Sequence, residues 1–144
     1  MQGFPHRYQT TASATASSHV AISSAGLPTL NSTPPPEFGG PEGNWSPETL
    51  LVASVADCFI LTFKAIAGAS KLDWQELTCD ANGTLDRVGG VMKFTRMDLA
   101  VTLTVPAGTD QAKADKLLHK AEQVCLVTNS LSAECHLETS ISEA

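Results

Sequence analysis

The chemistry open to this sequence rests first on four cysteines, Cys58, Cys79, Cys125 and Cys135. They are widely spaced and no CxxC pair occurs, so a thiolate zinc site is not expected. A framework of structural disulfides is not expected either, in a chain of this size with no secretory run at its start. Inert buried thiols, reactive thiols, or some of each remain open. Cys58 and Cys125 stand in apolar surroundings, VASVADCFILTF and AEQVCLVTNSL, each expected on a helix. A thiol there packs as a small hydrophobe unless an electropositive or helix-terminal setting activates it. Asp57, beside Cys58, would act against ionisation. Cys79 and Cys135 fall in alternating stretches with no charge pattern nearby and are expected to be structural.

Other chemistries are poorly supplied. His6, His19, His119 and His136 include no two at metal-ligand spacing, and no GxSxG elbow, GxGxxG loop or P-loop is present. No metal or cofactor is expected. Fifteen acidic residues against nine basic ones give a net charge of −6, and the basic residues are scattered, which argues against nucleic acid. Met1 to Thr10 carries Pro5, His6 and Arg7 and no apolar run, so a cytoplasmic location is expected.

The element that must position Cys58 runs from Ser46 to Ala69. Ser46 is a good N-cap, Pro47 suits the first helical position, and Glu48 complements the dipole in the first turn. Gly68 offers a stop. Leu50 to Ala67 is apolar or small almost all round, which marks a buried helix. A membrane span is not expected, because Asp57 and Lys64 would sit where charge costs most. Glu48 precedes Cys58 by ten residues, about 15 Å along a helix, so the two cannot touch within one chain. If both serve one site, the carboxylate comes from a second copy across antiparallel helices.

The remaining elements follow from pattern. Two strands are expected on either side of Ala16–Ser18, then a proline-rich, non-helical crossing segment over Gly26 to Gly43. A strand follows from Leu72, with Asn82-Gly83 as a turn or bulge, and Gly89-Gly90 makes a hairpin turn. Val91 to Val105 alternates strongly but changes parity between Met97 and Leu99, which predicts a twist or bulge. Thr109 to Cys125 has helical spacing, with Thr109 or Asp110 as cap and Ala112, Ala114, Leu117, Leu118, Ala121, Val124 and Cys125 on the apolar face. Leu131 to Ile141 closes the chain as a strand, with Ala133, Cys135, Leu137, Thr139 and Ile141 on one face. The layout is α+β with a mostly antiparallel sheet, one domain over 1–144. One sheet and one amphipathic helix cover the apolar helix poorly, so a homodimer is expected.

The run SPETLLVASVADCFILTFKAIA, followed some sixty residues later by AEQVCLVTNSL, resembles the OsmC/Ohr family, the osmotically induced and organic hydroperoxide resistance proteins. The matching residues are Pro47-Glu48, Leu50-Leu51, Cys58, Ala121, Cys125, Leu126, Val127, Asn129, Ser130 and Leu131. The resemblance implies an OsmC-like, intertwined α+β homodimer with its central helices buried between subunits. It implies a peroxidatic Cys58 that reduces an organic hydroperoxide and a resolving Cys125 that condenses with it. A dithiol reductant, of lipoyl type in the better-known members, then reopens the disulfide. Glu48 would orient an activating arginine, which the family carries in the N-terminal strands or crossing loop. Arg7 is the only arginine before the central helix, and His19 is a second cationic candidate. The other readings are a non-enzymatic dimer binding a small apolar ligand, a thiol redox sensor, and a structural dimer with inert cysteines.

Overall fold

The computed structural model describes residues 1–144, which divide into two compact units, Met1–Leu50 and Leu51–Ala144.

The first unit is built on an antiparallel sheet of three short strands, β1 (Thr11–Ser13), β2 (Val20–Ser23) and β3 (Leu30–Ser32), in the order β1-β2-β3. Ala12 pairs with Ile22, and Ala21 with Asn31. The β1–β2 connection is a turn in which Ser18 N–H donates to Thr15 O and the Ser18 hydroxyl accepts from Thr15 N–H. The crossing segment expected to be non-helical holds β3 and a single 3-10 turn at Pro36–Phe38. Proline presets φ for that turn without costing a bond, and Gly39, at φ 82°, closes it. Thr33 N–H then donates to Trp45 O at 2.9 Å, bringing the chain to the start of the long helix.

That helix, α1, spans Pro47–Ala69. Its start is a reciprocal cap. Thr49 N–H donates to Ser46 Oγ at 3.2 Å, and Ser46 N–H donates to Thr49 Oγ1 at 2.9 Å, so two donors without intrahelical partners are satisfied together. Gly68 does not end it. The helix continues to Ala69, and Lys71 takes the left-handed conformation at φ 54°.

In the second unit, β4 (Glu76–Val88), β5 (Val91–Val105) and β6 (Glu134–Glu143) form a second sheet in the order β4-β5-β6. The chain therefore has two sheets where pattern alone suggested one. Strands β4 and β5 form a hairpin through Gly89 and Gly90, both at positive φ, as a type I′ turn requires. Strand β4 runs straight through Asn82-Gly83. The irregularity falls at Thr95, which is left over between the Thr84–Arg96 and Leu85–Phe94 pairs. This extra residue is the physical cause of the parity change, and it puts Met97 on the same inward face as Leu99, Val101, Leu103 and Val105.

Helix α2 (Gln111–Val124) is capped by Asp110, whose side chain accepts from Lys113 N–H. It carries the chain back across the sheet, so β6 joins β5 in parallel, with Met97 beside Cys135 and Leu99 beside Leu137. The Thr139 hydroxyl donates to the Asp115 carboxylate and ties α2 to β6. Ala114, Leu117, Leu118 and Ala121 face the core, whereas Ala112 and Val124 are exposed.

Val55, Phe59, Phe63 and Ala67 recur every four residues along α1 and are fully buried against this sheet and α2. Phe63 meets Trp74 edge to face at 5.5 Å. Close approach of α1 to the sheet depends on Gly83, since a Cβ there would come within 2.7 Å of a Val52 methyl. Away from this stripe Leu51, Val52, Ile60 and Ile66 are partly buried against the core, and the exposed line of the helix carries Asp57, Leu61 (57% exposed) and Lys64. By length and composition α1 could cross a membrane, with a mean hydropathy of 2.0 over its most apolar window.

Candidate functional site

Cys58 lies midway along α1, one residue before the buried Phe59, and is half-buried. Cys125 faces it from another part of the unit. Cys125 is not inside a helix, as spacing had suggested. It has extended backbone, φ −63° and ψ 114°, and breaks the chain between α2 and a four-residue helix, α3 (Leu126–Asn129). The break has a clear hydrogen-bond origin. Cys125 N–H reaches back to Glu122 O, while Cys125 O accepts from Asn129 N–H at 3.0 Å and from the Thr128 hydroxyl at 3.2 Å. The amides of Leu126 and Val127 therefore begin a new helix and have no carbonyl of a preceding turn to bond.

Those amides lie near the Cys58 sulfur, as does the Cys125 thiol. The Thr62 hydroxyl, one turn along α1, stands 3.8 Å from the same sulfur. Burial pushes the Cys58 thiol up, but donors on Val127, Cys125, Thr62 and Leu126 together outweigh it, and the thiol falls below its ordinary value. Cys125 moves the other way. It is fully buried, and burial together with the neighbouring Cys58 sulfur raises it despite partial relief from Thr128. A thiol biased toward thiolate thus lies against one biased toward S–H. Such a pair can lose electrons at the first sulfur and close a bond to the second.

The other two cysteines behave differently. Burial, with Asp80 nearby, pushes Cys79 up to about 11. Burial, with the Glu122 carboxylate nearby, pushes Cys135 up to about 12. The acidic neighbour of Cys135 was not visible in the sequence, because Glu122 reaches it from α2. All four cysteines are free thiols.

Glu48 sits in the first turn of α1, and its Oε2 is buried with no hydrogen-bond partner within the chain. It precedes Cys58 by ten residues along α1. Arg7 lies before β1, is exposed, and makes no ion pair within the chain. His19, also exposed, lines an open groove with Ser13, Thr15, Ser18 and Asn31. No group of three His, Cys, Asp or Glu side chains is placed to hold a metal ion. Reasoning from sequence missed Thr62 and the two amides. Thr62 stands four residues after Cys58 and could have been found by helical spacing; the amides could not, because the helix break leaves no compositional trace.

A family model described as OsmC-like protein matches residues 39–140. The organic hydroperoxide resistance protein of Xanthomonas axonopodis pv. citri (strain 306) is 34% identical over 98 residues, 67% of this chain and 66% of that protein. Peroxiredoxin OsmC of Escherichia coli (strain K12) is 30% identical over 101 residues, 70% of this chain and 69% of that one. Among solved structures, an OsmC-like protein of unknown function from Vibrio cholerae superposes with a TM-score of 0.86 at 18% identity, covering 94% of this chain and 100% of that chain. The α+β architecture, the long apolar helix that bears Cys58 and the match to the family model lead to one assignment: this chain belongs to the OsmC-like family.

Proposed function

We propose that this protein reduces organic hydroperoxides with Cys58 as the peroxidatic and Cys125 as the resolving cysteine, in defence against oxidative stress. The carrying observation is the juxtaposition of two free thiols, Cys58 on α1 and the buried Cys125 at the α2–α3 break, with the Thr62 hydroxyl 3.8 Å from the Cys58 sulfur. The names of the Xanthomonas and Escherichia relatives support the same chemistry. The Cys58 thiolate attacks one oxygen of the peroxide, the O–O bond breaks, and the alcohol leaves with a proton, so sulfur becomes a sulfenic acid. The Cys125 thiol displaces hydroxide from that sulfur, giving water and a disulfide. A dithiol of lipoyl type returns the electron pair by exchange and regenerates both thiols.

The chain 1–144 acts in this reading as one OsmC-like domain that pairs with a second copy in the cytoplasm. The exposed Leu61 and the partly covered apolar side chains beside it on α1 supply the interface, and the exposed Asp57 and Lys64 disfavour lipid as the cover. The buried, unpartnered Glu48 oxygen is the acceptor to which an activating cation would bind, and Arg7 is the only arginine of the N-terminal unit that could supply one.

The test uses one equivalent of cumene hydroperoxide and mass spectrometry of the intact and digested protein. Loss of a hydrogen pair, mapped to a Cys58–Cys125 bridge and abolished in Cys58→Ser, is the expected outcome. Two thiols that stay reduced while the peroxide persists would overturn the proposal.

A further inference from the structure

Hydroxyls in helices usually turn back onto the backbone, and most of those near this site do so. Ser54 donates to Leu51 O at 2.6 Å, Thr128 to Cys125 O at 3.2 Å, and Ser130 to Leu126 O at 2.8 Å. Thr62 does not. Its hydroxyl makes no bond to a carbonyl, and its one partner is the Cys58 sulfur at 3.8 Å. The i, i+4 spacing puts both side chains on one face of α1, and Thr62 is half-buried there, so solvent competes only in part. While Cys58 is protonated, either atom can be the donor. Once the sulfur ionises it can only accept, and the hydroxyl must donate. A hydrogen bond to a charged acceptor is stronger than one to a neutral thiol, so this contact favours the thiolate.

We propose that Thr62 is a catalytic residue whose hydroxyl donates to the Cys58 thiolate and holds it ionised and aimed for attack. The inference rests on the reading of Cys58 as the reacting thiol. It assigns to an uncharged donor on the same helix part of the work that a guanidinium would do. The titratable group facing Cys58 from another element is Cys125, from the α2–α3 break, and Asp57 on α1 itself is exposed.

The test compares Thr62→Val, which keeps the branched shape and removes the donor, with Thr62→Ser, which keeps the donor. Peptide-resolved alkylation by iodoacetamide across pH reads Cys58 ionisation without any peroxide. In Thr62→Val the midpoint should rise by about one unit, which leaves roughly a tenth of the thiolate at pH below it. Cumene hydroperoxide consumption should fall in step near neutrality and recover at higher pH, and Thr62→Ser should restore both. If circular dichroism shows that Val disturbs α1, Thr62→Ala carries the same comparison. A midpoint unmoved in both donor-free variants, or a Ser variant behaving like Val, would overturn the proposal. If the midpoint moves as expected while the unaltered protein consumes no peroxide, the role of Thr62 at the sulfur stands and the peroxidase reading falls.

Discussion

Cys58 and Cys135 are both half-buried thiols of the same unit, yet one is drawn below its ordinary value and the other is pushed up to about 12. Burial acts on both in the same direction, so depth alone cannot explain the difference. What differs is the supply of unused donors. Cys135 lies in the edge strand β6, paired in parallel with β5 on one side; no donor acts on its thiol, and its charged neighbour is the Glu122 carboxylate. Cys58 faces the first turn of a helix that has just begun, where the Leu126 and Val127 amides have no carbonyl to bond. A strand's amides lie in the plane of the sheet, across from the direction of its side chains, whereas the start of a helix leaves amides free for a sulfur anion.

The widest separation should appear in alkylation rates. Raising Cys135 from 9.0 to about 12 leaves it roughly a thousandfold poorer in thiolate than an ordinary cysteine at neutral pH. Iodoacetamide at pH near 7.5 should therefore label Cys58 first by a wide margin, with Cys135 and Cys79 essentially untouched in the native protein. Comparable labelling of Cys58 and Cys135 would remove the basis of the contrast.

A smaller effect should appear in stability. Cys79 and Cys135 keep their protons in the folded state to about 11 and about 12, whereas in the unfolded chain they ionise near 9.0. Their folded values are raised, so the stability they contribute is complete below about pH 9 and is lost as pH climbs from there toward the folded values. Urea midpoints at about pH 8 and about pH 10.5 should show an alkaline loss that shrinks in Cys79→Ala/Cys135→Ala. An equal loss in both proteins would mean that the sheet thiols do not differ from unfolded ones.

Much of this contrast could be anticipated, though unevenly. The Ser46-Pro47 start of α1 and the alternation of Ala133, Cys135, Leu137, Thr139 and Ile141 are local patterns, and local patterns survive in a sequence. Parallel pairing of β6 and the short β3 do not show in local composition, because a helical crossover and tertiary packing decide them. The position of Cys58 followed from its helix and its motif. The break at Cys125 did not, since QVCLVTN has ordinary helical spacing and the interruption arises from where Glu122, Thr128 and Asn129 place their bonds. The donors that set the two thiols apart were therefore the least legible part of the site.

The finest test removes a single one of those donors. Leu126→Pro deletes the Leu126 amide hydrogen at the first position of α3, where proline's fixed φ is compatible with helix entry. Cys125 already has the extended conformation that a residue before proline requires, φ −63° and ψ 114°, and the Leu126 side chain is 70% exposed. The fold should accept the change with little loss of stability. Among the groups that lower the Cys58 thiol, Val127 ranks first and Leu126 last, so the alkylation midpoint should rise by only about half a unit or less. Cys135, whose surroundings the substitution leaves alone, should not move. A shift at Cys135 as large as that at Cys58 would point to general loosening of the unit instead of a lost donor. No shift at Cys58 would show that the amide, though near, does not bear on the sulfur.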